Sequence, residues 1–185
     1  MKFFTVFGAI VLSAYFFATA SLAADKPDIW ANAQTIVLHN GENKEVGTAK
    51  LVQAPHGVLI HLNLTNVPAG THAFHIHAVG KCETPDFKSA GGHFNPTEKK
   101  HGLLNKEGPH IGDLPNITVP DSGSFAVDAF VSHVTLKEGE HTLADADGSA
   151  IVLHAGADDY MTDPAGDAGA RIACGVIAPP QAAAK

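Results

Sequence analysis

The chain has 185 residues, a formal net charge of −7 and 45% hydrophobic residues. It is acidic and has no basic cluster beyond Lys99-Lys100, which argues against a nucleic-acid partner, because that role needs a concentrated positive surface. Its 12 histidines equal the sum of lysine and arginine, an excess of the commonest metal-ligating side chain.

Lys2 is followed by an apolar stretch over residues 3–23, broken only by Thr5, Ser13, Thr19 and Ser21. With the small residues of Ser21-Leu22-Ala23, this is the pattern of a secretory signal peptide, residues 1–23, cut after Ala23. The stretch is also long enough to anchor in a bilayer, but the small-residue site and the polar Asp25-Lys26-Pro27 favour cleavage. No cysteine stands near the site to take a lipid. Cleavage leaves 162 residues (185 minus 23) with a net charge of −8, since Lys2 departs. That length suits one domain, 24–185, with a core over about 30–178 and a short tail at Ala182-Ala183-Ala184. Cys82 and Cys174 are the only cysteines. In an exported chain an even pair suggests one disulfide.

In the mature chain, strands are expected at 30–38, 46–52, 58–64 and 71–78, then at 125–131, 150–154 and 170–177. The clearest is 58–64, where Val58, Ile60, Leu62 and Leu64 fall on one face at period two. Phe125, Val127, Ala129 and Val131 repeat that pattern. Asn40-Gly41, His56-Gly57, Pro68-Ala69-Gly70, Asp121-Ser122-Gly123 and Asp147-Gly148 mark turns. No segment carries sustained helical periodicity. Many short, evenly spaced strands suggest an all-β sandwich or barrel. Segments 79–116 and 155–169 break the pattern; loops this long are uncommon unless functional or held by ligands.

Most histidines of interest lie in or beside those segments. In His75-Ile76-His77, both imidazoles point to one side of a strand, while Ile76, with Phe74 and Ala78, points to the core. Alone, such a pair is more often surface decoration or part of a hydrogen-bond network. His93, His101, His110 and Asp113 fall within 21 residues, and together they form a closed three-nitrogen, one-oxygen set suited to zinc. His154 ends the apolar run Ala150-Ile151-Val152-Leu153. With His75, His77 and His93 it would make a four-nitrogen set suited to copper(II). If His93 serves both sets, its imidazole must be deprotonated and bridge the metals. Spacing alone does not prove the bridge.

These strings carry a family resemblance. His72-Ala73-Phe74-His75-Ile76-His77 resembles the first copper motif of the copper–zinc superoxide dismutases. Gly92-His93-Phe94-Asn95-Pro96, Lys100-His101-Gly102 and His110-Ile111-Gly112-Asp113-Leu114 resemble the metal loop of that family, in order. The string from Gly169 to Ile177, around Arg171 and Cys174, resembles its C-terminal signature. The likeness runs from Trp30 to Ile177 and is closest to the bacterial periplasmic members.

The resemblance implies an eight-stranded Greek-key β-sandwich or barrel, immunoglobulin-like, with two long functional loops. It implies one copper ion per subunit on His75, His77, His93 and His154, and one zinc ion on His93, His101, His110 and Asp113. It also implies a Cys82–Cys174 disulfide and a carboxylate, Asp158, hydrogen-bonded to His75 and His101. The implied reaction converts two superoxide anions to dioxygen and hydrogen peroxide by copper redox cycling. In it, His93 takes up and returns a proton, and Arg171 attracts the anion. A periplasmic location, no nucleic acid and no membrane after cleavage follow; bacterial relatives include monomers and homodimers. Segment 159–170 has Asp159, Asp163 and Asp167 but no lysine, so Lys81, Lys88 and Lys99 are the candidates to steer the anion. His39, His56, His61, His72, His133 and His141 match no ligand position. Two rivals are a non-catalytic copper-binding or chaperone module and a copper-only dismutase. The intact ligand strings, Arg171 and the zinc residues disfavour them.

Overall fold

The alternation in residues 58–64 becomes a strand paired on both sides within a curled antiparallel sheet. The computed structural model describes residue 1 and residues 27–181, so the expected leader beyond Met1 and the final alanines fall outside the described residues. The strands are β1 (Gln34–Asn40), β2 (Glu45–Ala54), β3 (Gly57–Leu64), β4 (Gly70–His72), β5 (Phe74–His77), β6 (Ile117–Val119), β7 (Phe125–Ser132), β8 (Ser149–His154) and β9 (Arg171–Ala178). Only Ala73 separates β4 from β5, yet the two pair with different partners, β4 with β6 and β5 with β8.

Seven strands run in the order β5-β8-β9-β1-β2-β3-β7, and β4 pairs with β6. Non-sequential neighbours (β5 beside β8, β9 beside β1, β3 beside β7) give the Greek-key crossing. The core sits inside the curl. Val58, Ile60, Leu62 and Leu64 of β3 are fully buried against Leu38, Leu51, Ile76, Ile151 and Leu153. Burying each such side chain is worth about 1.5–3 kcal/mol.

Three departures from the expected strands have local causes. Trp30 lies in a turn held by the Asp28 carboxylate, which accepts its backbone N–H at 2.9 Å, so β1 starts only at Gln34. The expected strand over 71–78 breaks at Ala73, whose N–H and C=O pair with Gly156 and His154 instead. β6 has three residues, too few for a periodic signal. The only helical element among the described residues is a 3-10 turn, Lys88–Ala90.

Strand β5 positions the site. Phe74 and Ile76 face the core, and His75 and His77 face the opposite side. Segments 78–116 and 155–170 cover that side, leaving both histidines with no exposed surface. The first segment is pinned by the Cys82–Cys174 disulfide to β9, with Cα atoms 5.7 Å apart. A small second cluster, Phe87, Ala90, Ala150, Val152 and Cys174, packs around the fully buried Cys174.

Candidate metal centre

Two groups of four side chains converge beneath the loops. His75, His77, His93 and His154 form one; His93, His101, His110 and Asp113 form the other. In each, one donor atom per residue lies within 4.8 Å of the rest, and all seven residues are buried. His93 belongs to both.

In the second group one carboxylate oxygen is the focus. Asp113 Oδ1 lies 2.8 Å from His93 Nδ1, 3.0 Å from His101 Nδ1 and 3.2 Å from His110 Nδ1. Asp113 Oδ2 accepts the backbone N–H groups of Gly102 at 2.9 Å and His110 at 3.0 Å, which fixes the carboxylate. Burial alone would raise the Asp113 pKa, but hydrogen bonds from His110, His93 and Gly102 outweigh it and hold the group far below the carboxylate range.

In the first group, outer contacts decide which nitrogen is free. His77 Nδ1 donates to the Gly91 carbonyl at 3.0 Å, and His154 Nδ1 makes a long bond to the Gly169 carbonyl at 3.4 Å. Their Nε2 atoms then turn lone pairs toward each other at 3.4 Å. His75 Nδ1 and His93 Nε2 are buried with no hydrogen-bond partner. Facing lone pairs and orphaned nitrogens are costly without a cation, so the donor set fits a bound metal. Nitrogen ligands suit copper, and the three-nitrogen, one-oxygen group suits zinc. Burial, reinforced by neighbouring histidines, lowers the pKa of His93 to about 4 and of His154 to about 3, and drives that of His77 well down. The rings are therefore neutral, the form that binds metal.

The family model for copper/zinc superoxide dismutase (SODC) matches residues 45–177. The chain belongs to the copper–zinc superoxide dismutase family. It is similar to superoxide dismutase [Cu-Zn] 1 of Aquifex aeolicus, at 54% identity over 140 residues, covering 75% of this chain and 83% of that one. Among solved structures it resembles a SOD-like protein from Bacillus subtilis (TM-score 0.74, 42% identity, 77% of this chain and 97% of that one). It also resembles the Cu/Zn superoxide dismutase from Brucella abortus (TM-score 0.62, 29% identity, 78% and 99%).

The features that the family likeness singles out lie around these groups. Asp158 is buried, and its Oδ2 accepts from His75 Nε2 at 2.8 Å while its Oδ1 accepts from His101 Nε2 at 3.0 Å. Those bonds occupy the ε nitrogens and leave the δ nitrogens for the centre, the orienting function such outer partners serve. Burial works against the Asp158 charge, but the His75 and His101 bonds hold its pKa at about 2. Arg171 donates to the Phe87 carbonyl at 2.7 Å and to the Gly91 carbonyl at 2.6 Å. It lines a cavity of about 300 Å³ with His77, His93 and His154. Its pKa is lowered by burial and raised by the nearby Asp86.

Of the three lysines, Lys88 shares a second cavity, about 490 Å³, with Arg171 and Asp86. Lys99 lines a different one beside His110, and Lys81 lines neither of these two. Two residues near the centre were not singled out by sequence. His72 is buried, with Nδ1 2.9 Å from the His154 carbonyl and Nε2 2.8 Å from the Pro68 carbonyl, so it ties a ligand-set backbone to the turn before β4. Its only signal was position beside the first motif. Asn116, bonded to the Asp158 backbone, had no signal at all. The remaining histidines stand apart from both groups: His61 pairs with Asp128 at 2.6 Å and His141 donates to the His133 carbonyl at 3.1 Å.

Proposed function

We propose that this chain acts as an exported superoxide dismutase whose copper is held by His75, His77, His93 and His154 and whose zinc is held by His93, His101, His110 and Asp113. The superoxide dismutase activity and the copper and zinc requirement follow from family membership. The observation that carries the residue assignment is the shared His93, with Nδ1 in one donor group and an unpartnered Nε2 in the other.

When bound, copper supplies the one-electron redox chemistry, and zinc supplies a fixed positive charge without redox activity. The protein supplies the rest. Arg171, tethered by two carbonyls, presents a cation that draws superoxide into the cavity bordered by His77, His93 and His154. A local field of this kind outweighs the overall negative charge, a rule for which superoxide dismutases are a standard case. His93 Nε2 is the atom at which a proton is taken up and passed on. Its Nδ1, aimed at the Asp113 group, keeps the ring in place meanwhile. Two superoxide anions and two protons thus give dioxygen and hydrogen peroxide.

Export and cleavage after Ala23 rest on the leader pattern, and the Cys82–Cys174 disulfide is at home in an oxidising compartment such as the periplasm. The assay is superoxide decay with metal quantitation on copper- and zinc-loaded protein. The expected result is rapid decay at one copper and one zinc per chain, and a large loss in Arg171→Ala with copper retained. Loaded wild type that does not accelerate decay would favour the non-catalytic copper-binding module.

A further inference from the structure

Asp158 governs both donor groups, yet its carboxylate stands on a loop, and something must hold that loop. The Asn116 side chain, just before β6, does so by a two-point clamp. Its Nδ2 donates to the Asp158 carbonyl at 2.8 Å, and its Oδ1 accepts the Asp158 N–H at 2.8 Å. The amide thus imitates a strand partner, satisfying both backbone groups of one residue. Tyr160 closes the arrangement: its hydroxyl accepts the Asn116 N–H at 2.8 Å, and its own N–H donates to Asp158 Oδ1 at 2.6 Å. Gly166 packs so tightly against the carboxylate that a Cβ there would overlap it. Asn116 thus holds the Asp158 backbone, while the carboxylate itself is met by the Tyr160 N–H and by the closely packed Gly166.

We infer that Asn116 is a positioning residue that couples the two centres by fixing the Asp158 carboxylate between His75 Nε2 and His101 Nε2. Asn116 reaches neither donor group itself. Its effect passes through Asp158, which selects the tautomer of one histidine in each group. Removing the amide leaves the Asp158 N–H and C=O unpaired in a partly buried place, and the loop can relieve that only by moving. Any movement rotates the carboxylate, so both centres are disturbed by one substitution. The inference rests on the proposed assignment of His75 to copper and His101 to zinc.

The test compares wild type with Asn116→Ala, Asn116→Asp and Ile60→Val. Zinc affinity is read by chelator competition, and the copper environment by visible absorption. Asn116→Ala is expected to weaken zinc about tenfold, the lower end of what outer partners contribute, and to shift the copper band. Asn116→Asp keeps the acceptor and loses the donor, so an intermediate loss is expected. Ile60→Val lowers thermal stability in the core without touching Asp158, and should leave zinc affinity and the copper band unchanged. Zinc affinity within about twofold of wild type in Asn116→Ala overturns the inference. If that variant does not fold, the near-isosteric Asn116→Asp decides by the same threshold. Wild type that binds no zinc would overturn the ligand assignment instead, so the two failures are distinct.

Discussion

Removing the Cys82–Cys174 disulfide, by changing both cysteines to alanine, should cost as much as the most damaging single core truncations. The bond joins residues 92 apart. For a loop of that length the chain-entropy relation gives about 4–5 kcal/mol at 25 °C, near the top of the ~2–5 kcal/mol typical for small secreted domains. Cys174 is fully buried in the small cluster with Phe87 and Ala90, so lost packing adds to the entropy. The measurement is equilibrium urea unfolding of metal-free protein, which keeps metal binding out of the balance. A second effect follows from Arg171. Its guanidinium is tethered to the carbonyls of Phe87 and Gly91, which lie on the segment that Cys82 anchors. The metal-loaded double variant should therefore lose superoxide-decay rate even where it is fully folded. A stability loss below about 1 kcal/mol, with an unchanged rate, would refute the view that this crosslink holds the site.

Asp158→Asn should weaken both metals about 10–100-fold in chelator competition, because its charge orients a histidine in each group; an effect on zinc alone would contradict that. At the cavity mouth, Asp86 is fixed by the Lys88 N–H at 3.2 Å and pairs with the Lys88 ammonium at 2.8 Å. Asp86→Asn should raise kcat/KM at low salt, and Lys88→Ala should lower it, each about twofold, the size of one charge acting over ~10 Å in water. Both effects should vanish at high salt, and Lys81→Ala should do nothing; equal effects from Lys81 and Lys88 would refute the placement. The metal-free protein should lose stability as pH falls from about 6.5 toward 3, because the unfolded chain protonates His93 and His154 before the folded chain does, their folded pKa values being about 4 and 3. Asp158, at about 2 when folded, adds stability above the ordinary carboxylate range that is lost as pH falls toward that value. A urea midpoint that stays flat from pH 7 to 4 would contradict this.

The barrel was legible wherever a strand has one face in the core and one outside. Residues 58–64 alternate because β3 packs Val58, Ile60, Leu62 and Leu64 on the core with Leu59, His61 and Asn63 turned outward, and that contrast is visible in the residues themselves. β6 was not legible, because its pairing with β4 is decided by where the first long loop returns, a tertiary fact. At the site, the ligand strings were legible because metal chemistry demands particular side chains. The shell around them was less so. His72 and Asn116 act through backbone groups of residues 82 and 42 positions away. An asparagine that clamps a distant peptide looks, in sequence, like any turn asparagine.

In the proposed assignment His93 faces two metals at once, with Nδ1 in one group and Nε2 in the other. The direct measurement is electron paramagnetic resonance of protein filled with copper(II) at both sites. A shared imidazolate predicts exchange coupling between the two coppers, lost in His93→Ala. Two independent copper signals in fully loaded wild type would contradict a shared His93.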